Sequence, residues 1–210
     1  MSFYRPAVFA SSDQAAIARL IDEHPFATLI TAGSGEPQVS HVPLLREPEP
    51  APHGSLIGHV ARANPHWRHI EDGASLAIFH GPHAYVSPSW YEEPATQVPT
   101  WNYAVVHVHG RAEVITDRLA TLAVLQRLIG RFEGERREPW RLQLEGARLD
   151  AMVGAIVAFR IGVERVEAKL KLSQNKHDAD RKRVASALRA EGFADAAAVA
   201  TWMDREDAGV

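Results

Sequence analysis

The sequence predicts an α+β fold that is mainly β: an antiparallel six-stranded barrel with peripheral helices and a C-terminal helical pair. Segments of strand length follow one another mostly without the intervening helix of a parallel βαβ unit, so we expect antiparallel pairing. Helical periodicity occurs in segments inserted between strands and in the last stretch of the chain. The predicted strands are residues 26–31, 38–45, 55–60, 74–80, 98–114 and 157–172.

The predicted strand 98–114 has two unlike faces, because successive side chains of a strand point to opposite sides. One face is small and apolar and consists of Ala104, Val106, Val108, Gly110 and Ala112. The other is polar and aromatic and consists of Tyr103, Val105, His107, His109 and Arg111. A face of small residues suits the tightly filled interior of a barrel. We therefore expect this strand to be central.

The composition limits the class of protein. A chain of 210 residues with 46% hydrophobic residues is expected to form one domain with a small appendage. We place the domain at residues 1–176 and a helical appendage at 177–210. The net charge of −3 argues against a general nucleic-acid binder, and the absence of cysteine excludes disulfides and thiolate metal sites. Without a leader or a long apolar run, we expect a cytoplasmic protein that has no membrane segment.

Capping residues mark the predicted helix starts. Ser11 or Ser12 can cap a first helix, Asn64 followed by Pro65 starts a short one, and Asp117 caps a longer one. The predicted apolar stripe of the longer helix is Leu119, Leu122, Leu125, Leu128 and Ile129.

Two segments between these elements are expected to be irregular. Residues 46–54 are rich in proline and predict a flexible surface loop. Residues 130–145 are charged, and we expect Trp140 to anchor them.

The sequence contains one candidate metal pair and one candidate nucleophile, each with a simpler structural interpretation. His107 and His109 share a strand face and could form a metal pair, but surface or interface histidines have the same pattern. Ser87 and Ser89 flank Pro88 without the G-x-S-x-G pattern of a nucleophile elbow, so a structural turn is the simpler interpretation.

A phosphate site at strand ends is a third candidate. Arginine and lysine supply charge for such a site, and serine and threonine supply hydroxyl donors. Residues of this kind at or near predicted strand ends are Thr31, Ser40, Arg62 and Lys171. The aromatic residues that could wall a flat ring beside it are Trp90, Tyr91, Trp101 and Tyr103. Solvated surface positions and plain packing are the alternative interpretations.

The C-terminal segments 178–191 and 195–206 predict two helices separated by Gly192. Such a pair could resemble a helix-turn-helix that contacts DNA. The second helix is acidic, however, and offers little to bind phosphates. A helical pair that packs on the barrel or on a dimer is the simpler interpretation.

Six motifs resemble one protein family in sequence and in order. They are HPFATLIT (24–31), SHVPLL (40–45), GHVARANPHWR (58–68), FHGPHAYVSPSWY (79–91), VPTWNYAVVHVHGR (98–111) and KLKLSQNK (169–176). Together they resemble the PaiB-type FMN-binding split-barrel proteins, described as negative transcriptional regulators, over residues 4–183. The resemblance implies a six-stranded split β-barrel that forms a homodimer, with FMN in the grooves between subunits.

The resemblance also implies positions for the cofactor. Ser40, His41 and Val42 would lie along the flavin, with the Val42 backbone available to the ring edge. Arg62 would hold the phosphate, and Thr31 would be a second phosphate donor.

The remaining implied positions complete the site. Asn64 would cap the short helix and reach the ligand. Trp101 and Asn102 would come from a second subunit. Lys171 and Ser173 would close the site.

Three functions are consistent with these expectations. The resemblance favours a homodimeric FMN-binding transcriptional regulator. The alternative is a flavin-dependent oxidoreductase on the same scaffold, although no proton donor is identified. A DNA-bound repressor without a cofactor is the third, and the acidic net charge argues against it.

Overall fold

The structure is a computed structural model that describes residues 3–33, 35–47 and 53–208. Its strands are β1 (Ala10–Ser11), β2 (Phe26–Ala32), β3 (Gln38–Pro43), β4 (Leu45–Glu47), β5 (Ser55–Ala61), β6 (Ala74–Val86), β7 (Thr100–Ile115) and β8 (Ile156–Lys171). Its α-helices are α1 (Gln14–Glu23), α2 (Arg118–Glu133), α3 (Gly146–Gly154), α4 (Asp178–Ala190) and α5 (Ala194–Ala208). Short 3₁₀ turns at Ala7–Phe9, Pro65–Arg68, Pro88–Trp90 and Pro94–Thr96 complete the described elements.

The strands form one antiparallel sheet in the order β3-β2-β6-β7-β8-β5-β4, and β1 pairs with β8. The predicted class, mainly β with peripheral helices and a C-terminal helical pair, is confirmed. The sheet has eight strands instead of the six predicted. The additional strands β1 and β4 have two and three residues, which is too short to produce a readable alternation.

Strand β6 continues six residues beyond its predicted end at His80 and runs to Val86 through Gly81 and Pro82. Gly81 allows this course because a Cβ at this position would lie 3.0 Å from the Ala104 carbonyl oxygen and 3.2 Å from Leu20. The glycine and proline that suggest a strand end therefore lie inside a strand that packs closely on its neighbour.

The helix caps are largely those expected. Asp117 accepts a hydrogen bond from the backbone N–H of Ala120 at 2.7 Å, and Asn64 accepts one from His66 at 3.0 Å. The first helix differs, because its cap is Asp13, whose carboxylate accepts from Ala15 and Ala16. The predicted caps Ser12 and Ser11 therefore lie one and two residues before the actual cap.

The predicted leucine stripe of α2 is confirmed at Leu128 and wrong at Leu119. Its buried residues are Thr121, Val124 and Leu128, whereas Leu119 is 69% exposed. Val124 and Leu128 pack with Ile57 of β5 and Ala158 of β8. The buried face of the helix therefore overlaps the predicted stripe, of which Leu122, Leu125 and Ile129 are half-buried.

The intervening segments differ in part from expectation. Trp140 is 54% exposed and does not anchor residues 130–145. The predicted loop 46–54 begins within β4, and its residues 48–52 lie outside the described part of the chain.

The chain divides into two compact units. Unit 1 comprises Met1–His24, Phe79–His107 and Glu167–Val210. In unit 1, α4 and α5 pack together and bury Leu188, Val199 and Trp202.

Unit 2 comprises Pro25–Ile78 and Val108–Val166. It contains the β2–β3 hairpin, the pairing of β5 with the first half of β8, and helices α2 and α3. None of the helices in the described ranges is long and apolar enough to cross a membrane.

Replacing Gly110 by alanine is expected to destabilise the protein by about 1–3 kcal/mol, the typical cost of overpacking. A Cβ at Gly110 would lie 2.1 Å from the Gly162 carbonyl oxygen, and backbone atoms cannot swing away as a flexible side chain can. Urea unfolding measures the free energy of unfolding.

The matched control is Gly130→Ala within α2, where a Cβ meets nothing within 4 Å. It is expected to stabilise the helix by up to about 1 kcal/mol. Equal stability of the two variants would contradict the close approach of Gly110 to Gly162.

Candidate functional site

Unit 2 brings Thr31, Ser40 and Asn64 together around a histidine, His66. The Ser40 hydroxyl lies 2.8 Å from Nδ1 of His66, and the Thr31 hydroxyl lies 2.9 Å from Nε2. The Asn64 amide donates to Ser40 Oγ at 2.9 Å. Thr31, Ser40 and His66 are all buried. These side chains therefore join β2, β3 and the 3₁₀ turn Pro65–Arg68.

The donors of this network can be assigned. Since Asn64 already donates to Ser40, the Ser40 O–H is best used as a donor to Nδ1 of His66. The proton of the neutral ring then lies on Nε2 and is donated to Thr31. With the proton on Nδ1 instead, Ser40 Oγ would accept from both Asn64 and His66, and its own O–H would have no acceptor among the described residues.

Burial lowers the pKa of His66 below its usual value, and the nearby His69 lowers this pKa further. A lowered pKa favours the neutral ring at pH 7, in agreement with this assignment of donors. Sequence reasoning missed His66. The available signal was its position two residues after the Asn64 cap, which accepts its backbone N–H.

Arg62 is held by main-chain carbonyls. Its Nε donates to the Gly154 oxygen at 2.6 Å, and its Nη2 donates to the Ile156 oxygen at 2.9 Å. The Trp67 indole donates to the Arg62 carbonyl at 2.9 Å and lies under its guanidinium. Arg62 thus ties the end of α3 to the start of β8 and retains its Nη1 donors for a ligand.

Arg62 lines a cavity of about 550 Å³ in unit 2. Its apolar wall includes Val114, Ile115 and Val157, and Arg118 at its edge forms an ion pair with Asp150. The cavity is large and mostly apolar, and the Arg62 guanidinium is part of its lining.

His41 and Val42 differ in accessibility, although they are neighbours on β3. His41 is exposed, and its Nδ1 lies 3.2 Å from the Thr28 hydroxyl. Val42 is buried and pairs with Ala27 of β2. Only the His41 side chain of this pair is available to a ligand.

Unit 1 brings together the other four predicted residues, Trp101, Asn102, Lys171 and Ser173. The Asn102 amide donates to Ser173 Oγ at 2.9 Å, and both side chains are buried. Ser173 has φ +65°, the only positive φ at a non-glycine residue in the described ranges. Strain of this kind is maintained where the surrounding structure fixes it, often at a functional site.

Lys171 and Lys176 line a cavity together with this pair, and Lys169 lies near Lys171. Lys171 Nζ donates to Thr100 Oγ1 and to the Trp101 carbonyl, both at 2.5 Å. Lys176 lies over the Tyr91 ring. Lys169 is buried, and its Nζ lies 5.1–5.9 Å from the centroids of three rings, those of Phe3, Tyr4 and Tyr103.

Burial lowers the pKa of Lys171, and the charges of Lys169 and Lys176 lower it further. Beside them is a cavity of about 190 Å³ lined by Thr100, Asn102, Lys171, Ser173 and Lys176, among others. No described acidic side chain lines it. Ammonium, hydroxyl and amide groups around a small cavity fit a phosphate group. The residues present therefore fit the phosphate of FMN.

The proposed metal and nucleophile sites gain no support from geometry. The His107 ring stacks on Phe3 at a centroid distance of 4.0 Å. Among residues 3–33, 35–47 and 53–208, no group of three or more His, Asp or Glu side chains is placed to hold a metal ion. Ser87 caps the 3₁₀ turn Pro88–Trp90 by accepting from the backbone of Ser89.

Comparison with known proteins identifies similar chains. The model of the family described as "Putative FMN-binding domain" matches residues 3–165. The chain is 35% identical over 205 residues to the protease synthase and sporulation protein PAI 2 of Bacillus subtilis, covering 96% of each chain.

Two solved structures have a similar fold. The flavocytochrome Anf3 of Azotobacter vinelandii has a TM-score of 0.62 and 18% identity over 83% of this chain and 75% of its own. The FAD and heme binding protein of Mycobacterium smegmatis has a TM-score of 0.60 and 20% identity over 88% and 80%. These similarities show the fold and confirm the split-barrel class.

Replacing His66 by leucine is expected to lower the free energy of unfolding by about 2–4 kcal/mol at neutral pH, because buried polar partners lose their bonds. The pH dependence also changes. Since the folded-state pKa of His66 is lowered, the unfolded chain binds a proton first, and wild-type stability falls as the pH drops below about 6.5.

Denaturant titrations at a series of pH values measure both effects. In His66→Leu the loss of stability at acid pH should be smaller, because among the described histidines only His24 and His59 then have pKa values lowered by burial. The control is His177→Gln at an exposed position, which should behave as wild type. If the free energy of unfolding of His66→Leu falls at acid pH as much as that of wild type, the role of His66 is refuted.

Proposed function

We propose a function from the premise that this chain belongs to the FMN-binding domain family: it holds FMN by its phosphate and acts as a negative regulator of transcription. The observation that carries the cofactor part is a cavity that Lys171 and Lys176 line and that no described carboxylate lines, with the charge of Lys169 close enough to act on Lys171. FMN supplies a flavin ring that accepts one or two electrons. The following steps concern this chain's own residues.

The lysine cluster favours a doubly negative group. Each ammonium opposes the charge of the others, which is why the neighbouring lysines lower the pKa of Lys171. A phosphate beside them would replace repulsion with charge-assisted hydrogen bonds. Lys171 uses two donors on Thr100 and Trp101 and keeps the third.

Ser173 and Asn102 support this cluster as neutral groups. They bond to each other, so their hydroxyl and amide are fixed in position before a ligand arrives. Fixed donors lose little side-chain entropy on binding. We assign Asn102, Lys171 and Ser173 to the phosphate end, with Lys176 as an additional cation.

The predicted residues of unit 2 divide into contact and positioning residues. Arg62 retains Nη1 donors, and His41 is exposed, so both are assigned to contact with the cofactor. Thr31 and Ser40 form hydrogen bonds to the buried His66, and Asn64 forms one to Ser40. These three residues are assigned to positioning.

Val42 and Trp101 complete the proposed set. Val42 contributes its main chain in the β2–β3 pairing. Trp101 contributes its carbonyl to Lys171. Its ring is 52% exposed and remains available to a second subunit, as the homodimer proposal requires. The mass of the protein in solution tests the dimer.

The regulatory part is supported by the relative's name and by the proposed site. The name of PAI 2 connects that protein with protease synthesis and sporulation. In this chain, α5 carries Asp195 and Asp204 and does not present a basic face to DNA. We therefore propose regulation through the flavin-loaded protein and a further ligand or protein, instead of direct operator contact through α5.

The cofactor proposal predicts discrimination between FMN and riboflavin, which lacks the phosphate. FMN should bind at least about tenfold more tightly, and Lys171→Met should remove most of that difference, because charged hydrogen bonds contribute about 1.5–3 kcal/mol each. Quenching of flavin fluorescence measures both affinities.

Lys182→Met on the exposed side of α4 is the matched control and should leave both affinities unchanged. A variant Lys171→Met that loses FMN and riboflavin binding equally would indicate a folding defect or contact with the ring, and would contradict phosphate binding at Lys171.

The regulatory proposal predicts that reduced nicotinamide does not bleach the bound flavin on the timescale of enzyme turnover, about a second or less. Stopped-flow absorbance of the FMN-loaded protein, mixed with NADH or NADPH, measures the reduction. Rapid bleaching would favour the oxidoreductase alternative over the regulator.

A further inference from the structure

A second cavity of unit 1, of about 350 Å³, is walled by aromatic rings. Its walls include Tyr85 of β6, Trp101 of β7, and Trp90 and Phe193 from the segments that follow β6 and α4. The Tyr85 and Trp101 rings meet at 73°, with centroids 6.2 Å apart, and so form two sides of a corner. A volume above about 300 Å³ is sufficient for a small organic ligand.

The aromatic residues at this cavity are unusually accessible. Tyr85, Trp101 and Phe193 are among the exposed large hydrophobic residues, although burial of an aromatic ring is strongly favourable. Contiguous exposed apolar groups typically mark a binding surface. Leu188 and Ala196 are buried and give the cavity an apolar floor.

The charges at the cavity determine the kind of ligand. Glu191 and Asp195 line it, and no described lysine or arginine does. Asp195 faces His83 at 3.8 Å, whereas the carboxylate of Glu191 forms no ion pair with a described residue. The lining is therefore acidic and disfavours a phosphate, in contrast to the lysine cluster of the same unit.

Aromatic faces and carboxylates together attract one class of ligand. The negative face of an aromatic ring stabilises an organic cation, and a neighbouring carboxylate adds to that attraction. We propose that this cavity binds a small organic ammonium ion, with its charged group against Tyr85, Trp101 and Phe193 and near Glu191. The cavity can bind this ion whether or not FMN is bound, since Trp101 is the one position that it shares with those assigned to FMN.

Other occupants fit less well. An anionic ligand would meet two carboxylates at the cavity. A neutral apolar ligand would leave these charges without a counter-ion near the rings. The proposed homodimer uses the Trp101 ring alone. A second copy that also covered Tyr85 and Phe193 would exclude small cations, and choline would then not bind.

The test is calorimetric titration of the full chain, with and without FMN, by choline chloride at constant ionic strength. The neutral isostere 3,3-dimethyl-1-butanol has the same shape without the charge. Choline should bind at least about tenfold more tightly than the alcohol. Glu191→Gln and Phe193→Ala should each weaken choline binding about three- to tenfold, the range expected for cation–π and nearby charge contacts.

Glu138→Gln, an exposed carboxylate outside the cavity, is the matched control and should not change choline affinity. Thermal unfolding of each variant verifies that it is folded. Absence of choline binding, equal binding of the alcohol, or unchanged affinity in both Glu191→Gln and Phe193→Ala would each overturn the proposal. FMN affinity is measured separately, so a failed cofactor proposal leaves this result interpretable.

Discussion

A buried polar side chain must find its hydrogen-bond partners inside the protein, and this constraint organises both polar clusters. In unit 2 the constraint is met by His66, whose two ring nitrogens face the hydroxyls of Ser40 and Thr31. In unit 1 it is met by Asn102 and Ser173, which are 71 residues apart in sequence. Loss of one partner leaves the other desolvated and unpaired, at a cost of about 1–3 kcal/mol.

The elements that could be predicted from sequence are those whose signal is local. Asn64 and Asp117 are caps because a short oxygen-bearing side chain precedes the helix that it caps, and the structure confirms both. The apolar stripe of α2 could be predicted only in part, because several faces of that helix carry apolar residues. Packing against Ile57 and Ala158 selects the face that contains Val124.

The candidate site could be predicted only in part, for a similar reason. Arg62 and Lys171 were identified as cations near strand ends, a property of the sequence. Their partners are main-chain carbonyls of Gly154 and Trp101, which tertiary structure alone brings near. His66 was missed because burial gives it a role, and its position two residues after the Asn64 cap indicates a turn but not burial.

Three consecutive residues of β7 connect the two cavities of unit 1. Thr100 and Asn102 line the cationic cavity, and Trp101 lines the aromatic one, because alternate side chains of a strand point to opposite faces. The Trp101 carbonyl also accepts a hydrogen bond from Lys171. An ammonium ion that shifts the Trp101 ring would therefore act, through one peptide unit, on a donor assigned to FMN. Any resulting change in FMN affinity must be matched by an equal change in cation affinity, because coupling between two binding sites is reciprocal.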